Sequence, residues 1–171
     1  ITDNANYDDV YRYHPGGQLR LDFDKKSTKK YIRYTDYETS QVGVDFTDKN
    51  GTWKRTSFTS MADDVVITKL NKSSSGSKLN MKYKKLTDDN ANYLALVSHY
   101  PDYEKSELKN GGYATVTYVI TSGGNKEKVL IDKKTDETQF LGENTGIKIT
   151  DADSVYLLTV SDRTYDMGKI D

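Results

Sequence analysis

The chain contains no cysteine. That excludes a disulfide framework, a thiolate metal site and a cysteine nucleophile, and it leaves the redox compartment unreadable. Histidine is nearly as scarce: only His14 and His99 could titrate near neutral pH without a shift. The net charge is −1, with Lys and Asp interspersed, so no nucleic-acid partner and no anionic membrane surface is favoured. No apolar run approaches the roughly 20 residues needed to cross a bilayer, so no membrane span is expected. The first residues, ITDNANYDDVYRY, are acidic and polar, the opposite of a secretory signal. If the full protein is exported, its signal lies outside this chain.

What the chain does have is tyrosine and alternation. Tyr outnumbers Phe by 14 to 4, which suits β-sheets with thin cores, because the ring packs while the hydroxyl stays at a wet edge. At 171 residues, one domain spanning 1–171 is the natural expectation. Leu19, Leu21 and Phe23 alternate with polar residues, and Ile32 and Tyr34 continue the period. Val42, Val44 and Phe46 share a face, with Gly43 and Asp45 on the other. An Asn50-Gly51 pair then announces a hairpin, and the return strand TWKRTSFTS puts Trp53, Arg55 and Ser57 on one side. DDVVITKL reads as a more apolar strand and NYLALVSHY as a buried one. YATVTYVIT, a Gly-Gly turn, KEKVLID, GIKIT and SVYLLTV complete the series. No segment carries a helical stripe. The expected fold is all-β, an antiparallel two-sheet β-sandwich of the large supersandwich type with little or no helix.

Chemistry is thin on this scaffold. Neither histidine has the neighbours that a metal site or a general base needs, and no metal or cofactor is expected. The acidic pairs Asp8–Asp9, Asp63–Asp64 and Asp88–Asp89 would point to opposite faces of a strand, so they cannot flank one scissile bond. Turn roles suit them better. No catalytic residue is assigned. Aromatic side chains beside polar groups could form a sugar platform, and the candidate carbohydrate contacts are Tyr13, His14, Trp53, His99, Tyr100 and Tyr103, with Tyr11 nearby. The alternative is that these rings simply fill sheet faces.

The order of several segments resembles a known family. YHPGGQLRLDF, residues 13 to 23, is similar to the Tyr-Gln-Pro-Leu-Gly-Asp-Leu-x-Leu-x-Phe run of glycoside hydrolase family 95, the α-L-fucosidases and α-L-galactosidases. YIRYTDYETSQVGVDF follows in place. NGTWKRTSFTSMADDVVITKL, residues 50 to 70, resembles the next conserved run through Trp53, Arg55, Phe58, Ser60 and Asp64. GIKITDADSVYLLTVSDRTY resembles the closing one through Ile147, Ile149, Ala152, Asp153, Val155, Leu157, Leu158 and Tyr165. Gly16, Gly17 and Gln18 depart from the pattern, as do Thr56, Ala62 and Asp63, and an upstream Pro-Ile-Gly-Asn-Gly motif has no counterpart.

The resemblance implies an amino-terminal β-sandwich, trimmed or diverged, of a larger inverting enzyme whose catalytic groups sit on an (α/α)6 barrel. The chain alone is then expected to be inactive, with two partners: the helical barrel of the same polypeptide and, through the parent, a fucosylated or galactosylated glycan. An extracellular or cell-surface bacterial setting would follow. The competing expectation is a free-standing carbohydrate-binding or cell-surface β-sandwich module.

Overall fold

The structure is a computed structural model that describes residues 19, 21–23, 28–49, 51–72, 79–83, 91–99, 111–131 and 144–164. Among these residues every regular element is a strand: β1 (Leu21–Phe23), β2 (Lys29–Asp36), β3 (Gln41–Asp48), β4 (Gly51–Ser60), β5 (Val65–Lys72), β6 (Leu79–Tyr83), β7 (Tyr93–His99), β8 (Gly112–Ser122), β9 (Asn125–Ile131), β10 (Asn144–Ala152) and β11 (Ser154–Thr164). They form two antiparallel sheets, one ordered β1-β6-β10-β9 and the other β2-β3-β4-β5-β11-β8-β7. The architecture is the all-β sandwich expected from the alternation. No helix of the described residues is long and apolar enough to cross a membrane.

Strands β2 to β5 are a meander whose turns are built by short polar side chains. In the first turn the Asp36 Oδ1 accepts the N–H groups of Glu38 and Thr39, at 3.0 and 3.2 Å. Such a side chain mimics a backbone turn. In the second, Asp48 lies opposite Gly51, and Gly51 (φ 138°) already belongs to the return strand. The Trp53 Nε1–H donates to Asp48 Oδ1 at 3.1 Å, pinning this hairpin to the core. In the third, the Ser60 hydroxyl donates to Asp63 Oδ2 at 2.6 Å and Asp64 adopts φ 50°. Asp63 and Asp64 are thus turn residues, as their adjacency suggested.

The core lies between the sheets. Ile147 and Ile149 project from β10 onto Val119, Val155 and Leu157 of β8 and β11, all without accessible surface. Each such side chain contributes about 1.5–3 kcal/mol by leaving water. Trp53, Leu70 and Leu94 extend the cluster, and Leu19, Leu21, Phe23 and Phe46 pack against it partly buried, with Phe23 edge-on to Phe46. Lys126 of β9 reaches across as well, donating to the Asn92 side chain and the Val119 carbonyl at 2.9 and 3.0 Å.

Two connections pass from one sheet to the other at the same corner. Gly123 and Gly124 (φ 67° and 70°) carry the chain from β8 to β9, and Asp153 carries it from β10 to β11. The Asp153 N–H donates to the Ser122 carbonyl at 2.8 Å, and Lys72 of β5 donates to Asp153 Oδ1 at 2.6 Å. The Gly-Gly pair therefore changes sheets and does not close a hairpin within one. A Cβ on Gly124 would stand 2.2 Å from the Thr150 carbonyl oxygen and 2.6 Å from the Ala152 nitrogen.

Two outcomes are expected. Gly124→Ala combines a left-handed φ with a backbone clash and should cost more than about 2 kcal/mol in urea unfolding, whereas Gly123→Asn should cost under about 1 kcal/mol because Asn tolerates that region. The Thr39 side chain and N–H, with the Glu38 N–H, hold the Asp36 carboxyl below its ordinary 3.8. Its stabilisation of the turn is full above the unfolded value and fades as pH falls through the lowered one. A side-chain carboxyl titration by NMR should find Asp36 below the ordinary aspartate value of 3.8.

Candidate functional site

The two outer faces of the sandwich differ in kind. On the smaller sheet Lys148 stands directly opposite Glu127, and the two form an ion pair in water. On the larger sheet an apolar row runs straight across five strands: Phe58 of β4, Ile67 of β5, Leu158 of β11, Tyr118 of β8 and Tyr93 of β7 are successive register partners. These residues alternate with the buried Leu157 and Val119, so they point away from the smaller sheet. Tyr156 and Ile120 flank the row on one side, Val160 and Val116 on the other. Phe58, Tyr93, Tyr118, Ile120, Val116 and Val160 all count among the exposed large hydrophobic residues, Tyr118 at 45%.

With strands ~4.8 Å apart and same-face residues ~6.8 Å apart, roughly ten apolar positions present on the order of 350 Å². That is the size of the largest apolar patch on an ordinary monomer, roughly 300–600 Å², which is often a functional surface. Covered by a partner, it gives a total buried area of roughly 700 Å², within the range of interfaces between domains of one chain. At the β3–β5 end the surface turns charged: Lys69 lies over the Tyr156 ring, 5.0 Å from its centroid, and Lys54 over the Tyr34 ring, at 5.8 Å. The Tyr34 ring in turn lies flat over Gly43, where a Cβ would fall 2.1 Å from it.

The opposite, inward face of β2 to β5 extends past the smaller sheet and leaves an open cleft of about 780 Å³ beside β1. Arg33, Arg55, Ser57 and Thr68 line it together with Leu19, Leu21 and Val42.

The candidate carbohydrate contacts are not brought together among the described residues. Trp53 is buried, 6% exposed, with its indole N–H spent on Asp48. Its ring serves the core, as in the alternative that the rings fill sheet faces. His99 ends β7 opposite Gly112, on the edge of the larger sheet. Tyr13, His14, Tyr100 and Tyr103 lie outside the described residues, as do Asp8–Asp9 and Asp88–Asp89. Among the described residues no three His, Asp or Glu side chains converge on a possible metal position. The strand NYLALVSHY is also not buried on both faces: Leu94 is in the core but Val97 is 48% exposed. Neither the apolar row nor the pair of cleft arginines is marked in the sequence by a ring motif. The period-two placement of Arg55 with Trp53 was the available signal for one of them.

Among the described residues, the larger sheet of this β-sandwich thus carries an apolar outer face. The model of the family described as glycosyl hydrolase family 65, N-terminal domain, matches residues 2–168, and the chain belongs to that family. It is thus an amino-terminal glycoside hydrolase domain, with family 65 named by the match where the motif order resembled family 95. No curated protein matches the chain.

Burial of the single Trp gives a direct check. Trp53 fluorescence should be blue-shifted, poorly quenched by iodide and unmoved by added glycans. Trp53→Phe should lower stability by about 1–3 kcal/mol through lost packing and the lost Asp48 bond. Emission typical of a solvated indole would contradict the assignment.

Proposed function

We propose that this chain is the non-catalytic amino-terminal domain of a glycoside hydrolase resembling the α-L-fucosidases and α-L-galactosidases, and that the outer face of its larger sheet packs on the helical barrel of the parent. The apolar row Phe58–Ile67–Leu158–Tyr118–Tyr93 carries this reading. A row left in water across five strands is a liability for a free domain and an asset for one with a permanent neighbour. Membership in a family of amino-terminal hydrolase domains supports the reading that this neighbour belongs to the same polypeptide. The motif order of residues 13–70 and 145–165 favours the fucosidase-like branch, whose enzymes meet their glycans outside the cell. Packed in this way, the domain steadies the barrel and lets its loops edge the substrate cleft.

The test uses Leu158→Lys with Tyr118→Lys, in both the parent and the 171-residue chain. A buried, unpaired ammonium costs about 3–5 kcal/mol. The parent should lose thermal stability and turnover of fucosylated oligosaccharides, while the isolated chain keeps its unfolding midpoint and becomes less prone to self-association. Turnover by the isolated chain, or an unaltered parent, overturns the proposal. Polysaccharide binding by the isolated chain that vanishes with the two substitutions would replace it with a free-standing carbohydrate-binding module, the Tyr118 and Tyr93 rings of the row then being its sugar platform.

A further inference from the structure

The cleft on the inward face has a chemistry that the docking row does not explain. Its volume of about 780 Å³ falls within the range of small-molecule sites, roughly 300–1,000 Å³. Among the described residues none of its lining is acidic, yet two are arginines. Arg33 on β2 and Arg55 on β4 are both register partners of Val44 on β3, one on each side. Their backbones are therefore about 10 Å apart, two strand spacings, which long side chains can close onto one small group between them.

Neither guanidinium has a carboxylate partner among the described residues. Arg33 instead leans over the Tyr31 ring, 6.0 Å from its centroid, which restricts the stem without neutralising the charge. Arg55 is half-buried on a strand interior, where an uncompensated charge is unfavourable and an arriving anion is correspondingly favoured.

The rest of the lining narrows the class of anion. One register step from Arg55, the hydroxyls of Ser57 and Thr68 bond to each other at 2.8 Å and keep lone pairs and a proton for a further partner. Leu19, Leu21 and Val42 supply an apolar wall, and Val42 is 52% exposed on it. A bare inorganic anion would leave that wall wet, and a neutral sugar would leave both guanidiniums unpaired. A ring that carries C–H faces, hydroxyls and a carboxylate meets all three requirements.

We propose that this cleft binds an acidic sugar of the uronate class, its carboxylate held between Arg33 and Arg55 and its hydroxyls directed at Ser57 and Thr68. The site lies on the face opposite the docking row, so its fate is independent of whether that row meets a barrel. In a hydrolase domain it gives the protein a grip on charged branches of a glycan, separate from any site that cleaves it.

The experiment is calorimetric titration of the 171-residue chain at low salt with trigalacturonate, with its methyl ester and with citrate. Trigalacturonate should bind, the neutral ester should bind at least about tenfold more weakly, and Arg33→Gln and Arg55→Gln should each weaken binding by a similar factor, as expected for loss of a charge-assisted pair. Lys69→Gln, on the outer face, should leave binding unchanged. Arg33 is exposed on an edge strand, so its variant remains informative if Arg55→Gln fails to fold. Equal binding of acid and ester, equal binding of citrate, unaffected arginine variants or no binding of trigalacturonate would each overturn the proposal.

Discussion

At one corner of the sandwich two connections cross between the sheets side by side, and the hydrogen bond from the Asp153 N–H to the Ser122 carbonyl joins them. Most of the architecture depends on that junction. It brings β10 over β8 and β11, so that Ile147 and Ile149 meet Val119, Val155 and Leu157. It also fixes the start of β11 against β5, where Lys72 reaches Asp153 across 81 residues of sequence. The close approach leaves no room for a side chain at Gly124. A segment that looks like a simple motif, Ala152-Asp153-Ser154-Val155, is thus the hinge pin of two sheets: Ala152 and Val155 face the core while Asp153 holds the bend.

Once the corner sets the sheets face to face, the unequal strand counts decide what remains open. Four strands cannot cover seven. The inward face of β2 to β5 therefore emerges beyond the smaller sheet as a cleft, and its residues shift along β4 from Trp53 to Arg55 and Ser57 and along β5 from Leu70 to Thr68. The outward face has no second layer among the described residues, yet it is apolar across five strands. Solvated faces are usually written in charge, as Lys148 and Glu127 are on the smaller sheet. The contrast between the two outer faces is what gives the larger one a functional meaning.

The strands were legible because one-sided burial imprints a period of two, visible in Val42–Val44–Phe46 and in Trp53–Arg55–Ser57. The sheet order was not, since β5 pairs with β11 and β1 with β6, and no local pattern encodes such distant partners. Trp53 read more readily as a ring filling a sheet face than as a sugar platform, and its packing in one cluster with Ile147 and Leu70 puts it in the core. NYLALV illustrates a deeper ambiguity. A nearly continuous apolar strand is apolar on both faces, and sequence cannot tell a strand sealed on both sides from one whose second face awaits a partner. The exposure of Tyr93 and Val97 beside the buried Leu94 resolves it here. The cleft was least visible, because it arises from where one sheet stops relative to the other.

The last strand of the chain order, β11, occupies an interior place in the larger sheet, between β5 and β8. During synthesis the meander β2 to β5 leaves the ribosome long before the strand that will pair with its open edge. For that interval β5 exposes both unpaired backbone groups and apolar side chains, the conditions for pairing with a wrong chain. The turns built by Asp36, Asp48 and Asp63 close early, over a few residues each, whereas β11 must close loops of about eighty residues, a slow step of high contact order. The domain's most exposed moment is therefore kinetic: a well-formed half-sheet waiting, edge open, for the strand that makes it whole.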